Sequence, residues 1–325
     1  DTSSSVAMTD FDRTIMMLTA MGINASKLDE YTTPDNPFVD SKGNVITDLT
    51  ACLYNYSGGY TINGPIFALI ALDMGKYTIP KNAVWTREKL LETILDHKYG
   101  SDGFGVDMVG MLMQSIAPYQ DDPVYGERVK AKLEEGIGLF LGQGKAATVD
   151  PMQPDFTFGG FGYQSSESAA QAICALSAAG VDCHTDPRFN DGKGNSALTA
   201  FLAYADGEYF AHTMSVPKNA MATYQGCYTV QWYLGFLDAK EKGESYYSLY
   251  YHQKDFSRPL STEADIKSFV LEGQEGVING NEITVTLPTG TPLKNMTPEL
   301  TLSDYATLES PSLPLTFSAN VPVTF

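Results

Sequence analysis

The residues best suited to chemistry are one histidine and a scatter of tyrosines, amides and carboxylates. His212, in "YFAHT", is one of four histidines, with His97, His184 and His252. Imidazole titrates near neutral pH and serves as a base or a hydrogen-bonding hub. Tyr60, Asn63, Tyr163, Gln164, Glu167, Tyr209, Tyr224 and Gln225 stand, like His212, at or near the starts of apolar stretches. Rings with amides suit a sugar or a peptide, because rings stack and each amide offers a donor and an acceptor. The same residue types also cap helices and pin loops. Asp107, in "GVDMV", reads as an isolated carboxylate at a helix start, where the helix dipole favours it. Contiguous Asp182-Cys183-His184 imitates a metal site, but neighbours in sequence rarely converge on one ion and zinc wants a tetrahedral set. No metal and no cofactor is expected.

These residues must be positioned by helices. Five stretches share one plan: "TDFDRTIMMLTAMGIN" (9–24), "INGPIFALIALDMGKY" (62–77), "GVDMVGMLMQSIAPY" (105–119), "SSESAAQAICALSAAGVD" (165–182) and "MATYQGCYTVQWYLGF" (221–236). Each opens on small or polar residues, runs through about three turns of apolar helix, and closes near Gly, Pro or an aromatic. Gly22, Gly75, Gly180 and Gly235 fit helix stops. The spacing of roughly 45 to 60 residues is that of helical-hairpin repeats. Between them lie amphipathic helices, at 86–100 with Thr86 as N-cap, at 126–144 and at 195–207.

A helix apolar on every side must be buried on every side. Five such helices alternating with amphipathic ones imply an inner layer inside an outer layer, an α/α toroid over residues 1–256. Inner helices then start from one side, and their polar first turns converge on a mouth that favours an anionic group. From about residue 257 the helical period is lost. "ITVTL" alternates as a strand, and Gly-Asn, Pro-Thr-Gly and Thr-Pro give turns. Residues 257–325 read as a small Ig-like β-sandwich, with 240–256 carrying the last helix and the linker.

Composition narrows the function. Of 325 residues 43% are hydrophobic and 18% charged, and 39 acids face 21 bases for a net charge of -18. That surface repels phosphate backbones and anionic membranes, and argues mildly against polyanionic substrates. No run approaches the roughly 18 to 20 apolar residues of a transmembrane helix. Asp1 is not an initiator and "NVPVTF" reads as the middle of a strand, so both ends read as trimmed from a larger protein. Cys52, Cys174, Cys183 and Cys227 form no CxxC pair, and Cys174 and Cys227 sit in apolar helical patterns, as buried free thiols do.

Residues 9–236 resemble the prenyltransferase/squalene-cyclase repeat of the terpenoid-cyclase-like toroid superfamily, on the strength of "INGPIFALIALD", "VDMVGMLMQSIAPY", "SESAAQAICALSAAGVD" and "FAHTM". The resemblance extends to cell-surface proteins of Gram-positive bacteria that carry this repeat, and the tail resembles bacterial Ig-like modules. The chemistry of such folds is not preserved here. Cyclases of this type protonate an alkene with an Asp-x-Asp-Asp-Thr motif; Gly105-Val106-Asp107-Met108-Val109 keeps only the central Asp. Prenyltransferases hold zinc with Asp, Cys and His; the matching places are Glu167, Ala169 and Gln225. Thioester domains need Cys-x-x-Gln, whereas Gln231 stands four residues after Cys227.

The leading expectation is a non-catalytic extracellular binding or adhesion module at the cell surface or cell wall. Its mouth would be formed by Tyr60, Asn63, Asp107, Tyr163, Gln164, Glu167, His212, Tyr224 and Gln225. A glycan, a peptide or a small molecule is the expected ligand, and nucleic acid is excluded. Two alternatives stand beside it. One is a carrier of a corrinoid or similar ligand, by likeness to cobalamin transporters that pair a toroid with a β-domain. The other is a glycan lyase using His212 and a nearby Tyr.

Overall fold

The computed structural model describes residues 6–40, 42–144, 146–160, 162–216, 219–248, 250, 265–303 and 314–317. The chain separates into two compact units, Asp1–Ser257 and Arg258–Phe325. The first is helical with one small antiparallel sheet. The second is β-rich.

The helices of the first unit are α1 (Met8–Ala20), α2 (Leu49–Tyr54), α3 (Asn63–Met74), α4 (Arg87–Asp96), α5 (Gly105–Ile116), α6 (Gly126–Phe140), α7 (Ser166–Ala178), α8 (Ala197–Leu202) and α9 (Ala220–Lys242). The five apolar stretches are α1, α3, α5, α7 and α9, and the three amphipathic ones are α4, α6 and α8. Short α2 was not anticipated. Its signal was Asp48, whose carboxylate caps the helix by accepting from Ala51 N–H at 2.9 Å. Thr86 caps α4 as expected, accepting from Lys89 N–H at 3.2 Å.

The odd-numbered helices pack in sequence order, α1 on α3, α3 on α5, α5 on α7 and α7 on α9. Each of α1, α3, α5 and α7 carries the next helix in sequence against it. The result is a row of inner helices backed by an outer layer. The inner helices run parallel. Near their starts, a Cβ on Gly64 of α3 would meet Met8 of α1, and Asp107 of α5 is hydrogen-bonded to Ser168 of α7. Past their ends, the Thr19 hydroxyl meets the Tyr77 hydroxyl at 2.8 Å. Tyr119 there donates to Asp73 at 2.5 Å.

Burial explains the composition of the row. Every residue of α7, from Ser166 to Ala178, is buried, because α5, α8 and α9 press on it from different sides. Small residues let them approach. At Gly110 a Cβ would stand 2.7 Å from the Gln171 carbonyl oxygen, so only glycine permits this α5–α7 spacing.

At the opposite end from the helix starts, Arg87 ties α3 to α4. Its Nε donates to Asp73 at 2.6 Å, and its terminal nitrogen donates to the Leu72 and Tyr77 carbonyls. Burial pushes the Asp73 carboxyl up, and the Arg87 charge opposes that push. At the end of α7, Asp182 accepts from Tyr233 at 2.6 Å and from Lys240 at 2.7 Å, fixing α9 to the turn after α7. Asp182 thus joins two helices, His184 Nδ1 lies 2.9 Å from Ser196 Oγ ahead of α8, and among the described residues no group of three or more His, Cys, Asp or Glu is placed to hold a metal.

The row has two ends, and three expectations fail there. The helices α1 and α9 are not buried on every side. Met17 and Met21 at the end of α1, and Met221, Tyr224 and Leu234 on α9, are exposed, because neither helix has an inner neighbour on its outer side among the packed pairs. Cys227 accordingly is exposed rather than a core thiol; all four cysteines are free. Gly235 is not a helix stop. It lies inside α9, where a Cβ would meet the Tyr246 ring at 2.4 Å, and the helix ends instead at Gly243 with φ 70°. Gly75 does follow α3, but at φ -100° rather than in the left-handed region; Gly22 and Gly180 are left-handed at φ 78°. Residues 244–248 carry no helix, so the last helix expected within 240–256 is the end of α9 at Lys242, and 249 and 251–256 lie outside the described residues.

In the second unit, β3 (Ile266–Leu271) is the centre of a three-stranded antiparallel sheet, between β4 (Gln274–Glu275) and β7 (Glu299–Leu302). A hairpin pairs β5 (Val277–Asn279) with β6 (Glu282–Thr284) through Gly280–Asn281, with Gly280 at φ 62°. Phe269, Leu271 and Met296 form the core, and Ile283, Val285 and Leu287 pack against it. The alternation of "ITVTL" thus sets the facing of its side chains, although the paired strand ends at Thr284.

Candidate functional site

Because the inner helices are parallel, their first turns lie on one face of the helical unit. A short hairpin, β1 (Gly159–Gly160) with β2 (Tyr163–Gln164), leads into α7 and adds to this face. Ser165 begins α7 by accepting from Ser168 N–H at 3.2 Å, which sets Glu167 in the first turn. The loop before α9 supplies His212, whose carbonyl accepts from Ser166 N–H at 3.0 Å. Backbone pairing therefore fixes the loop to the start of α7 before any side chain is considered.

The closest pairing on this face joins Glu167 to His212. The imidazole Nδ1 lies 2.9 and 2.8 Å from the two carboxylate oxygens. A carboxylate only accepts, so Nδ1 carries the proton and, in the neutral ring, Nε2 is the acceptor. Nε2 has no hydrogen-bond partner among the described residues. The Glu167 side chain is 6% exposed and that of His212 is 25% exposed, so the carboxylate is the buried brace and the ring is the reachable group. The Tyr163 ring stands edge-on to the imidazole with centroids 5.5 Å apart.

Asp107 joins this group and corrects the expectation of an isolated carboxylate. Burial pushes its carboxyl up, the Glu167 charge pushes it further, and a hydrogen bond from Ser168 opposes both. One of its oxygens is buried with no hydrogen-bond partner. Two carboxylates thus share one neighbourhood at the starts of α5 and α7, a place that favours a proton or a hydroxyl donor over an anion.

Beneath them an amide ladder crosses three helices. Gln114 donates to Gln171 at 2.9 Å, and Gln171 donates to Gln225 at 3.0 Å and to the Tyr228 hydroxyl at 2.5 Å. Gln225 therefore spends its carbonyl oxygen on the ladder. Tyr224 is exposed and meets the Tyr228 ring edge-on at 5.3 Å. Gln164 stands exposed in β2 with no side-chain hydrogen bond among the described residues. Tyr209 is held to Asp206 in the turn ahead of Phe210, which also pushes its phenol up.

Tyr60 and Asn63 occupy a separate part of the same face. They line a cavity of about 380 Å³ with Thr93, His97, Asp102 and Met108. No hydrogen bond among the described residues joins them to the Glu167 group. Eight of the nine expected site residues thus fall into three groups: Tyr60 with Asn63; Asp107, Tyr163, Glu167 and His212; and Tyr224 with Gln225; Gln164 stands apart from them. Sequence reasoning passed over Ser168, Tyr228, His97 and Asp102. For the last two, the polar run "DHKYGSD" at the end of α4 was the available signal.

The comparisons with known proteins bear on the second unit. Residues 266–325 match the family model described as SGBP, N-terminal. No curated protein matches the chain. No solved structure matches it either.

Proposed function

We propose that the chain is a non-catalytic glycan-binding module of a bacterial cell surface. The carrying observation is the match of residues 266–325 to the SGBP N-terminal model, a family whose name denotes surface proteins that bind glycans. The helical unit supports the same reading. Its helix-start face offers exposed rings at Tyr60, Tyr163 and Tyr224 beside amides, an imidazole braced by the buried Glu167, and half-buried Asp107. That mixture suits sugars, whose faces are apolar and whose edges are hydroxyls. A net charge of -18 favours neutral glycans over acidic ones.

In this reading the layered row of helices over 1–256 is an arc of the α/α toroid type, and 257–325 is an Ig-like module that spaces it from the surface. The chain would act as part of a larger, cell-wall-associated protein. The test is affinity electrophoresis of the whole chain through gels cast with neutral and acidic polysaccharides. Retardation by at least one neutral glycan, with no release of products on long incubation, is the expected result. Unretarded migration across the panel would sink the reading.

One observation favours a second reading, a glycan lyase. His212 is braced by Glu167 and touched by Tyr163, the histidine-and-tyrosine pairing that proton abstraction beside a carboxyl would use. Accumulation of ultraviolet-absorbing unsaturated products with an acidic polysaccharide, abolished in His212→Ala, would establish it in place of the first.

A further inference from the structure

The cavity at the start of α3 is a built site, apart from the Glu167–His212 group. The loop that brings Tyr60 to its lining is held in place. The Trp85 indole donates to the Tyr56 carbonyl at 3.0 Å, and the Tyr56 hydroxyl donates to the Gly59 carbonyl at 3.0 Å. The loop that delivers Tyr60 is therefore tied down on both sides. The Tyr60 ring stands perpendicular to the Trp85 ring, centroids 4.9 Å apart and planes at 88°. It is still 51% exposed, so one ring is held edge-on while much of its surface faces outward.

The polar groups around it are of two kinds. Asn63 Oδ1 is buried and has no hydrogen-bond partner, an acceptor that a ligand's hydroxyl would satisfy. His97 Nε2 lies 2.9 Å from Asp102 Oδ2, and the other Asp102 oxygen accepts from Phe104 N–H at 2.8 Å. The carboxylate thus fixes the ring as Nε2–H and leaves Nδ1 as an acceptor in the neutral state. Nδ1 has no partner among the described residues. Thr93 and Met108 complete the lining.

This chemistry selects its ligand. No Lys or Arg lines the cavity and a carboxylate does, which disfavours phosphates and carboxylates. A purely apolar ligand would leave Asn63 Oδ1 unsatisfied, and a buried acceptor without a donor weakens binding. A volume of about 380 Å³ lies at the lower end for small-molecule sites and is too small for a folded partner. A neutral sugar ring has what remains: an apolar face for Tyr60 and hydroxyl donors for Asn63 and His97.

We propose that this cavity binds a neutral pyranose unit, with Tyr60 as the stacking platform and Asn63 and the Asp102-braced His97 as the hydroxyl-recognising groups. The inference rests on the glycan-binding reading and gives it a location and a ligand class.

The test is isothermal titration calorimetry of the whole chain with cellohexaose, maltohexaose, mannohexaose and xylohexaose as probes. Wild type is expected to bind at least one of these hexasaccharides. Tyr60→Ala should weaken that binding by about tenfold, and Tyr60→Phe, which keeps the ring on Trp85, should retain it. Asn63→Ala should also weaken it, and Asn63→Asp, which keeps an acceptor oxygen, should weaken it less. Val124→Ala, at an exposed residue outside the cavity lining, should leave it unchanged. Thermal melts establish that each variant is folded, and Tyr60→Phe against Asn63→Ala carries the comparison if Tyr60→Ala is not. Undiminished binding by folded Tyr60 and Asn63 variants, with loss in Tyr163→Ala, would overturn the location and leave the glycan reading standing. Polysaccharide retardation without binding of any hexasaccharide would likewise overturn this site alone. Absence of both would overturn the two together.

Discussion

Asp12 offers a sharp test of the packing. It lies on α1 between Phe11 and Ile15, with no exposed surface, and both its carboxyl oxygens are buried without a hydrogen-bond partner. Burial pushes its carboxyl well above the usual range; the Arg13 charge opposes the push and the Asp10 charge adds to it. A buried polar group left unsatisfied costs about 1–3 kcal/mol, and more when charged. Leucine has nearly the same shape without the polar atoms, so Asp12→Leu should stabilise the protein by about 1–3 kcal/mol at pH 7.5. For a unit of this size that is a rise in Tm of about 2 to 12 °C. Asp12→Asn removes the charge alone and should give part of the gain.

The sign of the pH dependence follows from the raised folded-state pKa. Below about pH 4, the unfolded value, the carboxyl is protonated in both states and wild type keeps the associated stability. As pH rises through the folded value, wild type loses it, so the advantage of both variants widens and then levels off. Urea denaturation followed by circular dichroism from pH 4 to 8 measures this. Variants no more stable than wild type at pH 7.5, or an advantage that shrinks as pH rises, would show that the carboxylate is paired and that the packing around α1 is misread.

Three further outcomes are expected. Arg87→Met should cost about 1–3 kcal/mol in urea denaturation, because it leaves the half-buried Asp73 carboxylate with only the Tyr119 hydroxyl and no countercharge, and adding Asp73→Asn should recover more than half of the loss. Gly110→Ala should cost about 1–3 kcal/mol by forcing α5 away from the α7 backbone, whereas alanine at Gly59, which meets nothing within 4 Å, should be tolerated in the same assay. In native thiol titration with a chromogenic disulfide, exposed Cys227 should react first and half-buried Cys52 more slowly. Buried Cys174, its thiol pushed up to about 12 by burial, and Cys183, likewise pushed up, should stay protected until the protein unfolds.

The inner helices were legible because burial on all sides leaves a composition that no surface helix carries. Ser166 to Ala178 could be read as an inner helix from its small apolar residues, and the Thr86 cap from its hydroxyl ahead of an apolar run, whereas the Ser165 cap came from the structure. The end helices misled for the same reason. In α9 an apolar sequence was taken for complete burial, whereas Tyr224, Cys227 and Leu234 face outward at the end of the row. Sequence composition records which residues resist water, not how many neighbours a helix receives.

The sequence by itself also determined where the inner helices start and which polar types stand there. Helical period and cap chemistry are local, and each is fixed within a few residues along the chain. Only the tertiary structure decided which of those groups meet. Glu167 and His212 are 45 residues apart, Gln171 and Gln225 are 54 apart, and nothing in their spacing singles out either pair. His97 was passed over because its role comes from Asp102 beside it and from Tyr60 and Asn63, delivered by another helix to the same cavity. A site is a coincidence of distant segments in space, and packing sets that coincidence where local preference cannot.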